Sequence, residues 1–334
     1  MNLFDKWLGA FGLYLLLLVL KAYVIPIGGG IRKITEKDEI LDFSRRTKVL
    51  WIDVREPSEE DLLFLEKEFG FREPPKEVFE DIEISSRFYE GRDYLYAIFS
   101  FLVQHKEEVF AEPVLFFIKE NILITLRYNK IVTFSMFKRI IDRRGLEFHY
   151  PDQLMVELLN LEVERIGNRL EIIGKRIRSI KKQIFSEQST EIIKDLAYYD
   201  ELNLTLRESI NEKLRILQKL LRSTKINNVT KRELKLIIED LYALADYTSI
   251  YMEKIDSVQE SLLGLITIKQ NQTSQVFAFI ATLFLPPTLI ASIYGMNFDY
   301  IPLLHNPHGF WISVILMVAI TGGLLAWLKL RKII

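Results

Sequence analysis

Two uncharged apolar stretches lie close to the C-terminus and constrain the fold more than any other feature. They cover residues 276–294 and 310–328, and each is nineteen residues long. A helix of about 20 apolar residues crosses the roughly 30 Å hydrocarbon core of a bilayer. Both stretches are apolar around their whole circumference, whereas a helix on the surface of a soluble domain keeps a polar side. The sequence therefore predicts two transmembrane helices, with a pair of buried core helices as the alternative.

The residues at the ends of the second stretch predict its orientation. Trp311 and Trp327 stand at the two ends, where interfacial aromatic residues usually lie, and the basic tail 329–334 follows directly. Positive charge next to a span marks the cytoplasmic side of a membrane. We therefore expect a multi-pass protein of the cell inner membrane, with both termini in the cytoplasm and the loop 295–309 outside.

A third apolar stretch lies within residues 1–20. Its apolar part, 8–20, is thirteen residues long, which is too short to span comfortably and fits the core of a signal peptide. Export of the charged region that follows would contradict the orientation inferred above, and no A-x-A cleavage site is present. We interpret residues 1–20 as an extension that results from an upstream start codon; an N-terminal membrane or interfacial helix is the alternative.

Residues 21–150 mix strand and helix signals. Pro57-Ser58-Glu59-Glu60 is a typical helix start. Runs rich in β-branched and aromatic residues predict strands at 21–25, 49–54 and 94–103, and a hairpin of 113–118 and 122–128 around a turn at 119–121. The predicted fold class of this region is an α/β (α+β) domain.

Residues 151–275 have the pattern of long amphipathic helices. From 152 to 221 apolar residues recur at steps of three and four among many charges, and a break follows at 223–230. A second helical run covers 231–294 without a proline before Pro286, and it would be roughly 95 Å long at 1.5 Å per residue. The sequence predicts a helical stalk whose second helix enters the membrane. This helix is either a coiled-coil stalk or the element that carries a signal from the soluble domain.

Composition excludes several classes of function. The chain has no cysteine, so disulfides and thiolate metal sites are absent, and its net charge of -1 gives no basic field for nucleic acid. No G-x-x-x-x-G-K-S/T motif and no cluster of His and carboxylates with catalytic spacing occurs. We therefore expect no enzyme activity and no nucleotide site, and we expect any transported ion to flow passively with the membrane potential.

One face of the first span is smaller and more polar than the rest. Its residues follow steps of three and four, which place them on one side of a helix: Asn271, Ser274, Ala278, Ala281, Leu285 and Thr288. Two helices cannot enclose a water-filled path, so a transporter with this topology must form an oligomer. We interpret this face as the lining of a pore, with ordinary packing by small residues as the alternative.

The first span ends at Tyr294-Gly295-Met296-Asn297. We expect Gly295 to end the helix with backbone angles that other residues avoid, which would free carbonyl groups to face the axis. Asn297 offers a neutral side-chain oxygen, and a ring of such oxygens suits Mg²⁺, which keeps its waters. Asp299 would add one negative charge per subunit at the mouth.

These features resemble the CorA magnesium transporter family. Gly295-Met296-Asn297 after the first of two terminal spans is the most specific part. Other segments that look CorA-like are Asp81-Ile82-Glu83, Ser86-Arg87-Phe88, the stretch 268–271, and Phe284-Leu285-Pro286-Pro287-Thr288. The resemblance covers most of the chain after about Lys21.

The resemblance implies a funnel-shaped homopentameric channel in a lipid bilayer, with an α/β cytoplasmic domain. Gly295, Met296 and Asn297 would form the selectivity filter, with Asn297 as the outer ring. The path would be lined by Asn271, Leu285 and Thr288, and Phe277 would join Leu285 in a hydrophobic constriction. Mg²⁺ would be both the transported and the regulatory ion.

The resemblance also implies a regulatory metal site between cytoplasmic domains. Its ligands here would be Glu80 and Asp81 facing Asp240 on the stalk; a solvated acidic face is the alternative reading of these residues. The loop after the motif departs from the family, since Ile301-Pro302-Leu303-Leu304 stands where Met-Pro-Glu-Leu is common.

Three alternatives to a magnesium channel remain at this point. His305 and His308 in the loop could contact Co²⁺, Ni²⁺ or Zn²⁺. A zinc transporter on the same scaffold, as in the ZntB branch, is therefore one alternative, and a cobalt or nickel transporter is another. A membrane-anchored coiled-coil scaffold without transport is the third.

Overall fold

A computed structural model describes residues 20–24, 32–47, 49–75, 86–105, 108–184, 189–297, 301–303 and 306–331. The chain divides into two compact units, Met1–Val258 and Gln259–Ile334. The first unit holds a sheet with helices, and the second holds the apolar C-terminal region. The predicted apolar N-terminal extension lies outside the described residues, apart from its last residue, Leu20.

A seven-stranded mixed sheet forms the centre of the first unit. In chain order its strands are β1 (Leu20–Val24), β2 (Arg32–Ile34), β3 (Leu50–Arg55), β4 (Phe88–Glu90), β5 (Tyr94–His105), β6 (Glu108–Lys119) and β7 (Ile122–Arg127). Their spatial order is β2-β1-β3-β7-β6-β5-β4, in which β3 and β7 are parallel and all other neighbours are antiparallel. The sheet confirms the predicted α/β (α+β) class.

Seven helices complete the described part of the chain. They are α1 (Lys37–Arg46), α2 (Glu59–Phe69), α3 (Val132–Arg144), α4 (Pro151–Gln183), α5 (Ser189–Arg222), α6 (Asn228–Tyr294) and α7 (Gly309–Leu330). The predicted helix start at Pro57 to Glu60 is confirmed, because Ser58 caps α2. The Ser58 hydroxyl accepts the Asp61 amide at 3.2 Å, and the Asp61 carboxylate accepts the Ser58 amide at 3.3 Å.

The predicted hairpin forms from β6 and β7 around Glu120 and Asn121. The Asn121 side chain donates to the carbonyls of Ser44 and Thr47, which attaches the turn to the end of α1. β6 begins earlier than predicted and contains Pro113, which pairs with Ser100 of β5. The Ser100 amide bonds outward to a side chain rather than to β6, so the missing N–H of proline costs no ladder hydrogen bond.

Alternate residues of the central strands face different layers, as strand geometry requires. Ile52 and Val54 belong to a core that includes Ile40 of α1 and Leu65 of α2. Trp51 faces the opposite layer, where its ring lies 5.4 Å from the Phe137 ring of α3. The sheet is therefore covered on both faces, which explains why β3 and β7 are apolar almost throughout.

A buried ion cluster lies on the α3 side of the sheet. Asp53 of β3, 2% exposed, contacts Arg127 of β7 at 2.9 Å and Lys138 of α3 at 2.7 Å. Lys138 also donates to the Tyr23 hydroxyl at 2.8 Å. Burial alone would raise the pKa of Asp53, but the two cations hold that pKa below its ordinary value. The cluster thus links β1, β3, β7 and α3 through one carboxylate.

The helical run expected at 152–221 consists of two helices, which corrects the sequence interpretation. α4 ends at Gln183 and α5 begins at Ser189, and the two are antiparallel, with the Arg176 and Asp195 side chains paired near their junction. Both helices bury one apolar stripe against their neighbours, so they share the same three- and four-residue spacing. The periodicity therefore gave no indication that the run divides into two helices.

The predicted break at 223–230 is shorter in the structure. α6 begins at Asn228, and the Asn227 side chain accepts the Val229 amide at 3.0 Å. The Asp152 carboxylate, in the first turn of α4, accepts the Asn227 amide at 2.7 Å. One carboxylate thus lies at the beginning of both helices.

Candidate ion pathway

The predicted spans 276–294 and 310–328 fall within α6 and α7, which are long and apolar enough to cross a membrane. Their apolar side chains are exposed in the single chain; Phe277 is 68% and Leu285 66% exposed. A soluble core helix would bury such residues, so these surfaces need lipid or other subunits. The alternative of two buried core helices is therefore wrong.

The predicted pore-lining residues all lie on α6. Asn271, Phe277, Leu285 and Thr288 are all exposed in the single chain. The Thr288 hydroxyl donates to the Phe284 carbonyl at 2.7 Å. Its proton is therefore used within the helix, and the threonine oxygen can present lone pairs to a cation or to a bound water.

Two prolines lie inside α6 without ending it. Pro286 and Pro287 have no N–H, so the carbonyls of Thr282 and Leu283 lack the donors four residues later that an α-helix normally supplies. Unpaired carbonyls at membrane depth are tolerated where they face protein or a water-filled cavity. This segment of α6 therefore offers polar backbone next to Leu285 and Thr288.

The exit of α6 differs from the expected geometry at Gly295. We expected Gly295 to end the helix with left-handed backbone angles. α6 does end at Tyr294, but Gly295 has no left-handed angle, and its amide donates to the Ala291 carbonyl at 2.9 Å. Met296 then donates to the Ile293 carbonyl at 3.3 Å, which tightens the last turn. A Cβ at position 295 would lie 3.2 Å from the Ala291 oxygen, so the glycine here relieves crowding.

Asn297 and Met296 lie just beyond this turn and are exposed, with Met296 at 49%. The amide oxygen of Asn297 can therefore accept hydrogen bonds from a ligand. Asp299, expected beside the mouth, lies outside the described residues, as does His305. The predicted filter residues thus stand together at the end of one helix.

The described part of the loop folds tightly against the start of α7. Asn306 donates its amide to the Leu303 carbonyl at 3.1 Å, and Gly309 donates to the Asn306 carbonyl at 2.8 Å. A Cβ at Gly309 would lie 2.2 Å from the Leu303 oxygen, so this position requires glycine. His308, also expected as a contact for softer metals, is exposed at this turn.

The structure describes only one of the predicted regulatory residues. Asp240 lies exposed on α6, whereas Glu80 and Asp81 lie outside the described residues. Within the described ranges, no three His, Asp or Glu side chains form a group that could hold a metal. The regulatory site therefore stays a prediction.

Sequence reasoning missed a group of buried charges in the first unit. Glu162 on α4 and Lys213 on α5 are both fully buried, and each contacts the edge of β5. The available signal was position: both residues fall among the apolar residues of their helices, where a charge is unusual.

Comparisons with known proteins agree with this architecture. The family model "CorA-like Mg2+ transporter protein" matches residues 46–330. The chain is 31% identical to the magnesium transport protein CorA of Wolinella succinogenes, over 86% of this chain and 91% of that protein. It is 25% identical to the protein of the same name from Escherichia coli strain K12, over 88% of this chain and 94% of that protein.

A solved structure shares the fold along nearly the whole length. The complete structure of the CorA magnesium transporter from Methanocaldococcus jannaschii matches with a TM-score of 0.76 at 22% identity. The match covers 93% of this chain and 98% of that one. Together with the family match over residues 46–330, these likenesses show that the chain belongs to the CorA-like Mg²⁺ transporter family.

Proposed function

We propose that this protein is a homopentameric channel of the cell inner membrane that admits hydrated Mg²⁺, driven by the membrane potential. The observation that carries the proposal is the course of α6, one helix from Asn228 to Tyr294 that includes an apolar span and ends at Gly295-Met296-Asn297. The curated relatives are named as magnesium transport proteins.

Assembly follows from the number of membrane helices. The described part of each chain offers two, and two helices cannot surround a path for a hydrated ion. Five copies of α6 around an axis would enclose one, with Asn271, Leu285 and Thr288 toward the ion and α7 toward lipid. Phe277 and Leu285, both largely exposed in the single chain, would then form the hydrophobic constriction.

Selection takes place at the exit of α6. Mg²⁺ loses its waters reluctantly, so a ring of neutral oxygens that hydrogen-bonds the hydrated ion is a suitable filter. Asn297 supplies that oxygen, the Gly295 carbonyl and Met296 lie beside it, and Asp299 adds negative charge outside. Hydrogen bonds from the Gly295 and Met296 amides to the last turn of α6 attach the start of this segment to the helix.

The membrane topology follows the charge pattern. Residues 21–150 form the cytoplasmic α/β domain and 151–275 the stalk, while 276–294 and 310–328 span the bilayer. The loop 295–309 faces outward, and the basic tail 329–334 returns to the cytoplasm. Cytoplasmic Mg²⁺ bound by Glu80, Asp81 and Asp240 of neighbouring subunits closes the pore.

Ion uptake by purified protein in liposomes tests the proposal. With an inside-negative potential and external Mg²⁺, a dye inside the vesicles should report influx that stops when the potential is removed. Co²⁺, Ni²⁺ and Zn²⁺ serve as competing ions. Preferential Zn²⁺ uptake would favour the zinc transporter, preferential Co²⁺ or Ni²⁺ uptake the cobalt or nickel transporter, and no uptake of any ion the non-transporting scaffold.

A further inference from the structure

Among the described residues, no strand lies beside the outer edge of β5 after Ile98. β4 pairs with Leu95, Tyr96 and Ala97, and the Ile98 amide donates to the Arg87 carbonyl at 2.9 Å. The opposite edge of β5 pairs with β6 along its whole length. The outward peptide groups of Ser100 and Leu102 therefore need partners that no strand supplies.

Helix α5 supplies the partners of Ser100. One oxygen of Glu212 accepts the Ser100 amide at 2.8 Å, and the Lys213 ammonium donates to the Ser100 carbonyl. The other Glu212 oxygen accepts the Ser100 hydroxyl and pairs with Arg87 at 2.8 Å. Lys213 also donates to the Ser209 hydroxyl at 2.6 Å. The carboxylate of Glu212 thus accepts the hydrogen bond of the Ser100 N–H, and the ammonium group of Lys213 donates one to the Ser100 C=O.

Helix α4 repeats this arrangement at Leu102. One oxygen of Glu162 accepts the Leu102 amide at 2.6 Å, and Arg165 donates to the Leu102 carbonyl at 3.2 Å. The second Glu162 oxygen accepts the Thr133 hydroxyl and pairs with Arg165 at 3.1 Å. Two successive outward positions of β5 are therefore served by two acid–base pairs, one from each helix.

Because the charged groups of this arrangement are buried, they must keep their partners. Glu162 and Lys213 are fully buried, and burial raises the pKa of Glu162 and lowers that of Lys213. A buried charge is tolerated when it is paired and hydrogen-bonded, and it is costly when a partner is removed. A shift of either helix along β5 would leave charges and peptide groups without partners.

We propose that Glu162, Arg165, Glu212 and Lys213 act as an edge ladder, a substitute strand that clamps α4 and α5 to the sheet in a single register. Each acid takes the place of a strand carbonyl, and each cation takes the place of a strand N–H. Because side chains make the ladder, one pair can be removed without altering the sheet itself. Each rung attaches a different helix, and the charges of Glu162 and Lys213 also act on each other across the two rungs.

Hydrogen exchange of the full-length protein in detergent, resolved to single amides by mass spectrometry, tests the ladder. In Glu212→Met/Lys213→Met, the Ser100 amide should exchange about tenfold to a hundredfold faster, as expected for loss of bonds to charged groups. The α5 amides around Ser209 should also exchange faster, because the helix loses its attachment. Leu102 should change much less.

The matched variant Glu162→Met/Arg165→Met should reverse the pattern, with Leu102 affected more than Ser100. Glu208→Met is the control, since Glu208 is exposed on α5 and lies outside the ladder. If a double variant does not assemble, Glu212→Gln should still accelerate Ser100 selectively. Unchanged Ser100 exchange, or equal acceleration throughout β5, β6 and β7, would overturn the clamp.

Discussion

At the scale of single residues, the carboxylate of Asp53 balances the buried Arg127 and the half-buried Lys138, and its removal should have a measurable cost. Asp53→Asn keeps the shape but leaves Arg127 and Lys138 without their carboxylate. Removal of one partner from a buried ion cluster costs about 3–5 kcal/mol. We expect a loss of that order in the free energy of unfolding, measured by denaturation of the full-length protein. Asp42→Asn, which removes an exposed pair with Arg46, is the control and should cost under about 1 kcal/mol.

A second prediction concerns how the difference in free energy of unfolding between wild type and Asp53→Asn depends on pH. The folded pKa of Asp53 is below its unfolded value, so the unfolded chain binds more protons between the two. The stability that Asp53 contributes is fully present above the ordinary aspartate pKa of about 3.9, and it is lost as pH falls through the folded value. The gap between wild type and Asp53→Asn should therefore shrink as pH falls below about 4. A gap that stays constant on acidification would contradict the assignment.

Asn297 is the residue on which the proposed ion selection depends. Asn297→Ala removes the side-chain oxygen proposed to contact the hydrated ion, so Mg²⁺ uptake into liposomes should be abolished while assembly is retained. His308→Ala changes another exposed polar residue of the loop 295–309 and should leave Mg²⁺ uptake intact. Normal flux through the Asn297 variant, at equal protein in the vesicles, would remove Asn297 from the filter.

The place where α6 ends could be predicted from the sequence, but the backbone conformation there could not. The motif at 295–297 identified the exit of α6. The prediction of left-handed angles at Gly295 was wrong. A glycine in the sequence can meet a need for unusual backbone angles or a need for space, and the sequence does not show which of the two applies. The buried charges Glu162 and Lys213 were missed since their partners on β5 are about 60 and 113 residues distant in sequence.

At the scale of elements, alanine substitutions at two glycines of α4 should have opposite effects on stability. A Cβ at Gly174 would lie 2.4 Å from the Tyr251 hydroxyl oxygen of α6, whereas a Cβ at Gly167 would meet Leu244 at 3.6 Å. Gly167→Ala should therefore stabilise the protein by up to about 1 kcal/mol through helix propensity. Gly174→Ala should not, because overpacking costs about 1–3 kcal/mol.

Thermal unfolding of the two single variants checks this contrast. Truncation of the clashing ring should restore the benefit of alanine at position 174, so the effect of Gly174→Ala measured in a Tyr251→Ala background should turn favourable. Equal effects of the two alanines in the wild-type background would show that the α4–α6 contact adapts freely.

Most elements followed from local patterns, and the exceptions have a common cause. The hairpin of β6 and β7, the start of α2 and the helix through Tyr294 were signalled by turn residues, a capping box and apolar length. The division between α4 and α5 was not, because two antiparallel helices with one buried stripe each keep the same spacing. Sheet order also depends on contacts between distant strands such as β3 and β7.

At the scale of the whole molecule, the proposed regulation by Mg²⁺ gives a further prediction. If Asp81 and Asp240 bind Mg²⁺ between subunits, the bound ion offsets repulsion between carboxylates, roughly 4 kcal/mol at 4 Å and an effective dielectric near 20. Asp81→Ala/Asp240→Ala removes both the repulsion and the bridge. Protection of the cytoplasmic domain from protease should then lose its dependence on Mg²⁺.

A titration of protease resistance with Mg²⁺ provides the measurement. Glu239→Ala, next to Asp240 on the exposed side of α6, is the matched control and should keep the wild-type response. A double-alanine variant that still gains protection with Mg²⁺ would exclude the two aspartates as the sensor.

The carboxylate of Asp152 also limits how the length of this protein can vary. It anchors the beginning of α4 and of α6, and the two helices then stay in step, since Gly167 faces Leu244 and Gly174 faces Tyr251, seven residues further along both. An insertion in α4 must therefore be matched by an insertion of equal length in α5, so that the chain returns to Asp152 at the beginning of α6. Natural length differences should accordingly appear as paired additions at the far end of the α4–α5 hairpin, and single insertions between Arg222 and Asn228 should be absent.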